Sequence, residues 1–173
     1  MIASKLAVAP TLAQPAVRGD EPGELIARHL HKQVANAFIL YANYKHYHWQ
    51  ACGPLFRDLH LLFDELAHAV LATTDEFAER LRIMGLNPVA DYRVLLDMSR
   101  IAPSRSDETM QQMVAEAHAN VLHVIAEMRE AARLANGAND PGTVDLFSRT
   151  VQLHEKHEWF LRQILVQKDG LIS

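Results

Sequence analysis

Residues 55–84 contain no glycine or proline, while Gly53 and Pro54 precede them and Gly85 follows, so this stretch can be read as one long helix. At about 100° per residue, Leu59, Leu62, Phe63, Leu66, Val70, Phe77, Leu81 and Met84 fall on a single apolar stripe. A helix of this length spans on the order of 40 Å and needs partners of similar length to bury the stripe. Residues 24–51, 107–136 and 141–167 supply them, with Gly137 closing the third helix and Asp140-Pro141 opening the fourth as N-cap and first residue. The expected fold class is all-α, an antiparallel four-helix bundle. The long crossover at 86–106, between helices two and three, carries a short amphipathic helix at 92–99 capped by Asp91. Residues 1–23 read as a mobile tail rich in Ala and Pro, and 24–173 as one bundle domain.

The same long helix carries a second stripe, rotated by roughly 150° from the first, made of His60, Asp64, His68, Asp75 and Glu79. Ala67, Leu71, Ala72 and Ala78 are interleaved with it, so this outward face reads as a surface against which another helix packs. Carboxylates there are costly to desolvate unless a cation neutralises them. A dinuclear site inside a bundle would use inward Glu-x-x-His pairs on two helices. The only such spacing on this helix, Glu65 to His68, lies off the core stripe, and no partner motif follows, which excludes an interior site. His60 with Asp64, and Asp75 with Glu79, are each half a coordination sphere, and the two pairs are placed symmetrically about one point of the helix. An antiparallel copy related by a two-fold axis would bring unlike halves together, giving two identical sites about 22 Å apart. His48 continues the stripe Leu30, Val34, Ala37 and Tyr41 of the first helix and reads either as a core histidine or as a further ligand. Imidazole with carboxylate suits iron, manganese or zinc, and is too nitrogen-rich for a dedicated calcium site.

His48-Trp49, His60 twelve residues on, Asp64 four after that, and then Asp75-x-x-x-Glu79-Arg80 together resemble the ferroxidase signature of the Dps-like mini-ferritins. These form the dodecameric branch of the ferritin-like superfamily, and weaker similarity extends over about 25–164. The resemblance implies a ferritin-like bundle in a homo-dodecameric shell and an enzyme that oxidises Fe(II) with hydrogen peroxide or oxygen and stores the ferric product. It implies intersubunit sites for two Fe each, held by His48, His60, Asp64, Asp75 and Glu79, with Zn as an alternative occupant. Alignment to the family places Glu127, with Glu116 and Asn120, along an iron-entry pore, although these residues read equally well as a solvated helix face. Trp49 reads as a trap for stray oxidising equivalents or as an interface aromatic.

His154 and His157 fall on the apolar stripe of the fourth helix with Phe147, Val151, Leu161 and Leu165. They are buried neutral imidazoles on one reading. On the other, His157 adds nitrogen to the His60 and Asp64 half-site and favours Zn(II), as histidine does in family members of the cyanobacterial type. The formal net charge is −4, and the tail sets Lys5 and Arg18 against Asp20 and Glu21, so DNA binding is not expected. With no leader, no apolar run of about eighteen residues and a lone Cys52, the expectation is a cytoplasmic protein without membrane contact. The rivals to a ferroxidase are a DNA-binding nucleoid protein and a zinc-binding shell without iron turnover.

Overall fold

A computed structural model describes residues 21–105 and 107–166. Five helices follow in order: α1 Pro22–Gln50, α2 Phe56–Ile83, α3 Tyr92–Met98, α4 Met110–Gly137 and α5 Pro141–Ile164, and there is no strand among the described residues. Side-chain pairs fix their directions. Tyr47 meets Glu116 and Asn36 meets Glu127, so α1 and α4 are antiparallel. Lys45 meets Asp64 and His48 meets His60, while Arg80 meets Asp140 and Glu76 meets Arg149, so α2 runs against both α1 and α5. Helices α2 and α4 therefore point the same way, and the chain between them must return along the bundle. It does so beside α1. Asn36 Oδ1 accepts from Ser99 Oγ and the Arg100 amide, and further on Asn43 Oδ1 accepts from the Ser104 amide. This is the four-helix bundle with a long crossover carrying a short helix that the sequence leads one to expect.

Helix boundaries follow local chemistry and shift some expectations. Helix α1 begins at Pro22, so Pro22 and Gly23 belong to the bundle rather than to the tail, whose residues 1–20 lie outside the described residues. Helix α4 begins at Met110 rather than 107 because Thr109 forms a capping box with Gln112: the Gln112 amide donates to Thr109 Oγ1, and the Thr109 amide donates to Gln112 Oε1. Gly137 is the last residue of α4 rather than its stop; the left-handed conformation is taken by Asn139, at φ 56°. Helix α5 is capped by Asp140 and ends at Ile164, and Gln167 lies outside the described residues.

Leu59, Phe63, Leu66, Val70, Phe77 and Leu81 of α2 are buried as expected, with Leu62 and Met84 partly so. Two readings of the stripes need correction. On α1 the core line runs from Leu40 through Tyr44 and Tyr47, at helical spacing, so Tyr41 and His48 are rotated toward its edge. Ala67 is fully buried and belongs to the subunit's own core; Leu71 and Ala72 remain on the outward face. Among the described residues, no helix is long and apolar enough to cross a membrane.

Candidate metal centre

The turn between α1 and α2 brings His48 and His60 together as a matched pair. His48 Nδ1 lies 2.7 Å from the His60 carbonyl oxygen, His60 Nδ1 lies 2.9 Å from the His48 carbonyl oxygen, and the rings stack at 3.7 Å. A carbonyl can only accept, so each Nδ1 carries the proton and donates it, leaving each Nε2 with a free lone pair. Metal-binding imidazoles are commonly fixed in this way. Phe56 leans on the His60 ring at 5.2 Å and completes a small aromatic stack.

Asp64 is one helical turn beyond His60 and partly exposed. Its Oδ1 accepts from Lys45 Nζ at 2.6 Å, and His68 Nδ1 stands 3.6 Å from Oδ2. The hydrogen bond from the Lys45 ammonium holds the Asp64 carboxyl below its ordinary range. Sequence reasoning did not single out Lys45, although its position one turn before His48 put it on the same helix face. Its ammonium also sits 5.8 Å from the centre of the Trp49 ring, and Trp49 itself is 69% exposed.

Asp75 and Glu79 project outward from the far part of α2, about 16 to 22 Å from Asp64 at 1.5 Å per residue, and both are exposed. The neighbouring Arg80 turns the other way. Its Nε donates to Thr143 Oγ1 at 2.8 Å and its terminal nitrogen to Asp140 at 2.6 Å, and a Cβ on Gly142 would come within 3.1 Å of the guanidinium. Arg80 thus ties the end of α2 to the start of α5 and leaves Glu79 unclaimed by its charge. Among the described residues, no three His, Cys, Asp or Glu side chains converge within one chain to hold a metal. Within one chain, His48, His60 and Asp64 lie near the α1–α2 turn, and Asp75 and Glu79 lie far along α2.

The other candidates are placed differently. His157 is 3% exposed and His154 2%; their rings meet edge-on at 5.6 Å within the bundle core, and each Nδ1 is buried without a partner. Burial lowers His154 to about 3 and His157 to about 4, so both are neutral at pH 7. The ring contact of His157 is with His154, not with His48 or His60. Glu127 and Glu116, aligned with an iron-entry pore in the sequence reading, both have partners within the subunit. Glu127 accepts from Asn36 Nδ2 and pairs with Lys32, and Glu116 accepts from Tyr47 and Ser104. Asn120 is half-buried, and its Nδ2 has no partner. His68 and Glu65 are exposed on the outward side of α2.

Residues 27–170 match the ferritin-like domain family. Among solved structures, Dps from Thermosynechococcus elongatus is similar with a TM-score of 0.85 and 46% identity, across 88% of this chain and 97% of that one. A Vibrio cholerae DPS protein, described as a member of a broad superfamily of ferritin-like diiron-carboxylate proteins, has a TM-score of 0.79 at 25% identity over 84% of this chain and 91% of that one. The DNA protection during starvation protein 2 of Bacillus anthracis is 33% identical over 138 residues, covering 80% of this chain and 94% of the relative.

Proposed function

Since the chain belongs to the ferritin-like domain family, in its Dps-like mini-ferritin branch, we propose that it oxidises Fe(II) with hydrogen peroxide or oxygen and stores the ferric product, protecting the cell from oxidative damage. The observation that carries this reading is the reciprocal tie between His48 and His60. It fixes both tautomers and leaves two Nε2 donors available, with Asp64 one helical turn beyond His60 on α2. Iron is the substrate here, and the donor chemistry fits it: imidazole and carboxylate together suit a divalent first-row metal. Two imidazoles with Asp64 also suit Zn(II), which makes zinc a competitor at this half.

The second half comes from a partner chain. An antiparallel copy of α2 about a two-fold axis would set Asp75 and Glu79 of one subunit against His60 and Asp64 of the other, where Glu79 would help to hold the iron. Holding two ferrous ions close together allows two electrons to pass to one peroxide in a single encounter. The protein's part is positional. The histidines are oriented by backbone carbonyls, Asp64 is kept ionised by Lys45 until a metal takes the place of the ammonium, and Glu79 stays free because Arg80 is bound elsewhere.

Subunit complementation tests this directly. Asp64→Ala and Glu79→Ala homo-assemblies are each expected to lose rapid Fe(II) oxidation, followed by ferric absorbance after peroxide addition. When the two variants are unfolded, mixed and reassembled, paired unlike subunits regain one intact site and one doubly broken site, so a fraction of the activity returns. Full activity in either single variant, or no recovery on mixing, refutes the intersubunit site.

A further inference from the structure

Tyr47 is fully buried, adjacent in sequence to His48, and its ring packs against Phe63, which lies one turn beyond His60. Its hydroxyl donates to Glu116 Oε2 at 2.5 Å, and Ser104 Oγ donates to the same oxygen at 2.9 Å. Tyr44 lies beside it, with ring centres 6.4 Å apart, and is equally buried, but its hydroxyl has no partner. The two phenols therefore differ in one respect that matters to one-electron chemistry. A buried phenol that loses an electron becomes a strong acid in a low-dielectric medium, and it is stabilised only if its proton has somewhere to go. Tyr47 has a carboxylate in place to receive it, and Tyr44 does not.

From this geometry we infer that Tyr47 and Glu116 form a proton-coupled trap for single oxidising equivalents that arise beside His48 and His60. This rests on the ferroxidase reading above. The need for a trap follows from Lys45, which competes for Asp64 and so favours states in which a site holds one ferrous ion. Peroxide meeting a single Fe(II) yields Fe(III), hydroxide and a hydroxyl radical. Tyr47 then gives one electron to that radical, reducing it to hydroxide. Its O–H bond breaks as the proton forms an O–H bond on Glu116, leaving a neutral phenoxyl radical beside a neutral carboxyl. A second Fe(II) arriving later returns the electron and Glu116 returns the proton. The sum is two Fe(II) oxidised per peroxide reduced to two hydroxides, as in the concerted reaction.

A purely structural role is the competing account, since the same bonds also fasten the crossover to α1. Freeze-quench electron paramagnetic resonance separates the two on the assembled protein, loaded with one Fe(II) per site and mixed with peroxide while Fe(II) consumption is followed in the same sample. A tyrosyl signal is expected in the wild type and in Tyr44→Phe, and its loss in Tyr47→Phe, which removes only a hydroxyl. Glu116→Gln still accepts the hydrogen bond but cannot take the proton. It is expected to lose the signal as well, with oxidised Trp49 and backbone cleavage rising by mass spectrometry. Iron consumed with no tyrosyl signal in the wild type, or with the signal intact in Tyr47→Phe or Glu116→Gln, overturns the trap alone. Iron left unconsumed in the wild type overturns the ferroxidase reading, and the trap falls with it.

Discussion

Lys45 illustrates how much a single side chain settles and how little of that can be read in advance. A lysine on a helix face reads as solvated, and only the fold reveals that its ammonium stands where a cation would sit, 2.6 Å from Asp64. A metal that takes Asp64 must displace it. Replacing Lys45 with Gln is therefore expected to raise the affinity of this half for a divalent probe such as Zn(II), by up to about fivefold given the modest worth of partly exposed ion pairs. Calorimetric titration of the two proteins checks this, and equal affinities would show that the ammonium does not compete. The histidines are a contrasting case. The spacing that singles out His48 and His60 is plain in the sequence, but their protonation pattern is not, because it arises where each ring meets the other residue's carbonyl across the turn.

At the scale of the element, α5 is the unusual helix, with two imidazoles among the apolar and threonine side chains of its buried face. His154 and His157 titrate near 6.5 when unfolded, while burial holds them at about 3 and about 4 in the fold. The unfolded chain therefore binds more protons between these values. Their contribution to stability is complete above about pH 6.5, falls as the pH drops through that value, and continues to fall toward about pH 4 and then 3. By this linkage His154 alone costs about 2 kcal/mol per subunit at pH 5 relative to neutrality. The melting temperature of His154→Leu should therefore depend less on pH between 7 and 5 than that of the wild type. Parallel curves would mean that the imidazole is already relieved of its burial. The pattern of long helices was legible from periodicity and punctuation, whereas the start of α4 was not. It was set by the reciprocal Thr109–Gln112 cap, which outweighed an acidic residue at 107. The partners of Glu116 and Glu127 were not legible either, because the packing of α1 and the crossover supplies them from residues distant in sequence.

For the whole molecule, the directions of α1, α2, α4 and α5 follow from a few side-chain pairs, and the outward stripe of α2 is where the proposed pairing puts a second copy. If the proposed two-fold pairing along α2 combines with three-fold contacts elsewhere to close a shell, light scattering at micromolar concentration is expected to give a dodecamer; a monomer or dimer would refute it. The net charge of −4 gives polyphosphate little to bind, and gel shift at physiological salt is expected to show no complex. A salt-sensitive shift at submicromolar protein would contradict this. The proposal that the site lies between subunits rests on positions 60, 64, 75 and 79 being symmetric along one helix. That symmetry is a property of the sequence and needs no tertiary information.

The hairpin of α1 and α2 has a consequence for the life of a newly made subunit. His48 and His60 are brought together by a turn between neighbouring helices, so this half forms as soon as the hairpin does, from contacts close in sequence and quick to find. The other half, at Asp75 and Glu79, is too far along α2 to reach it in the same chain. On the proposed pairing, a solitary subunit has only one half of each site and cannot gather the pair of ions needed to reduce peroxide cleanly. Redox competence would then begin only at docking, when the walls that confine the mineral are also being put in place.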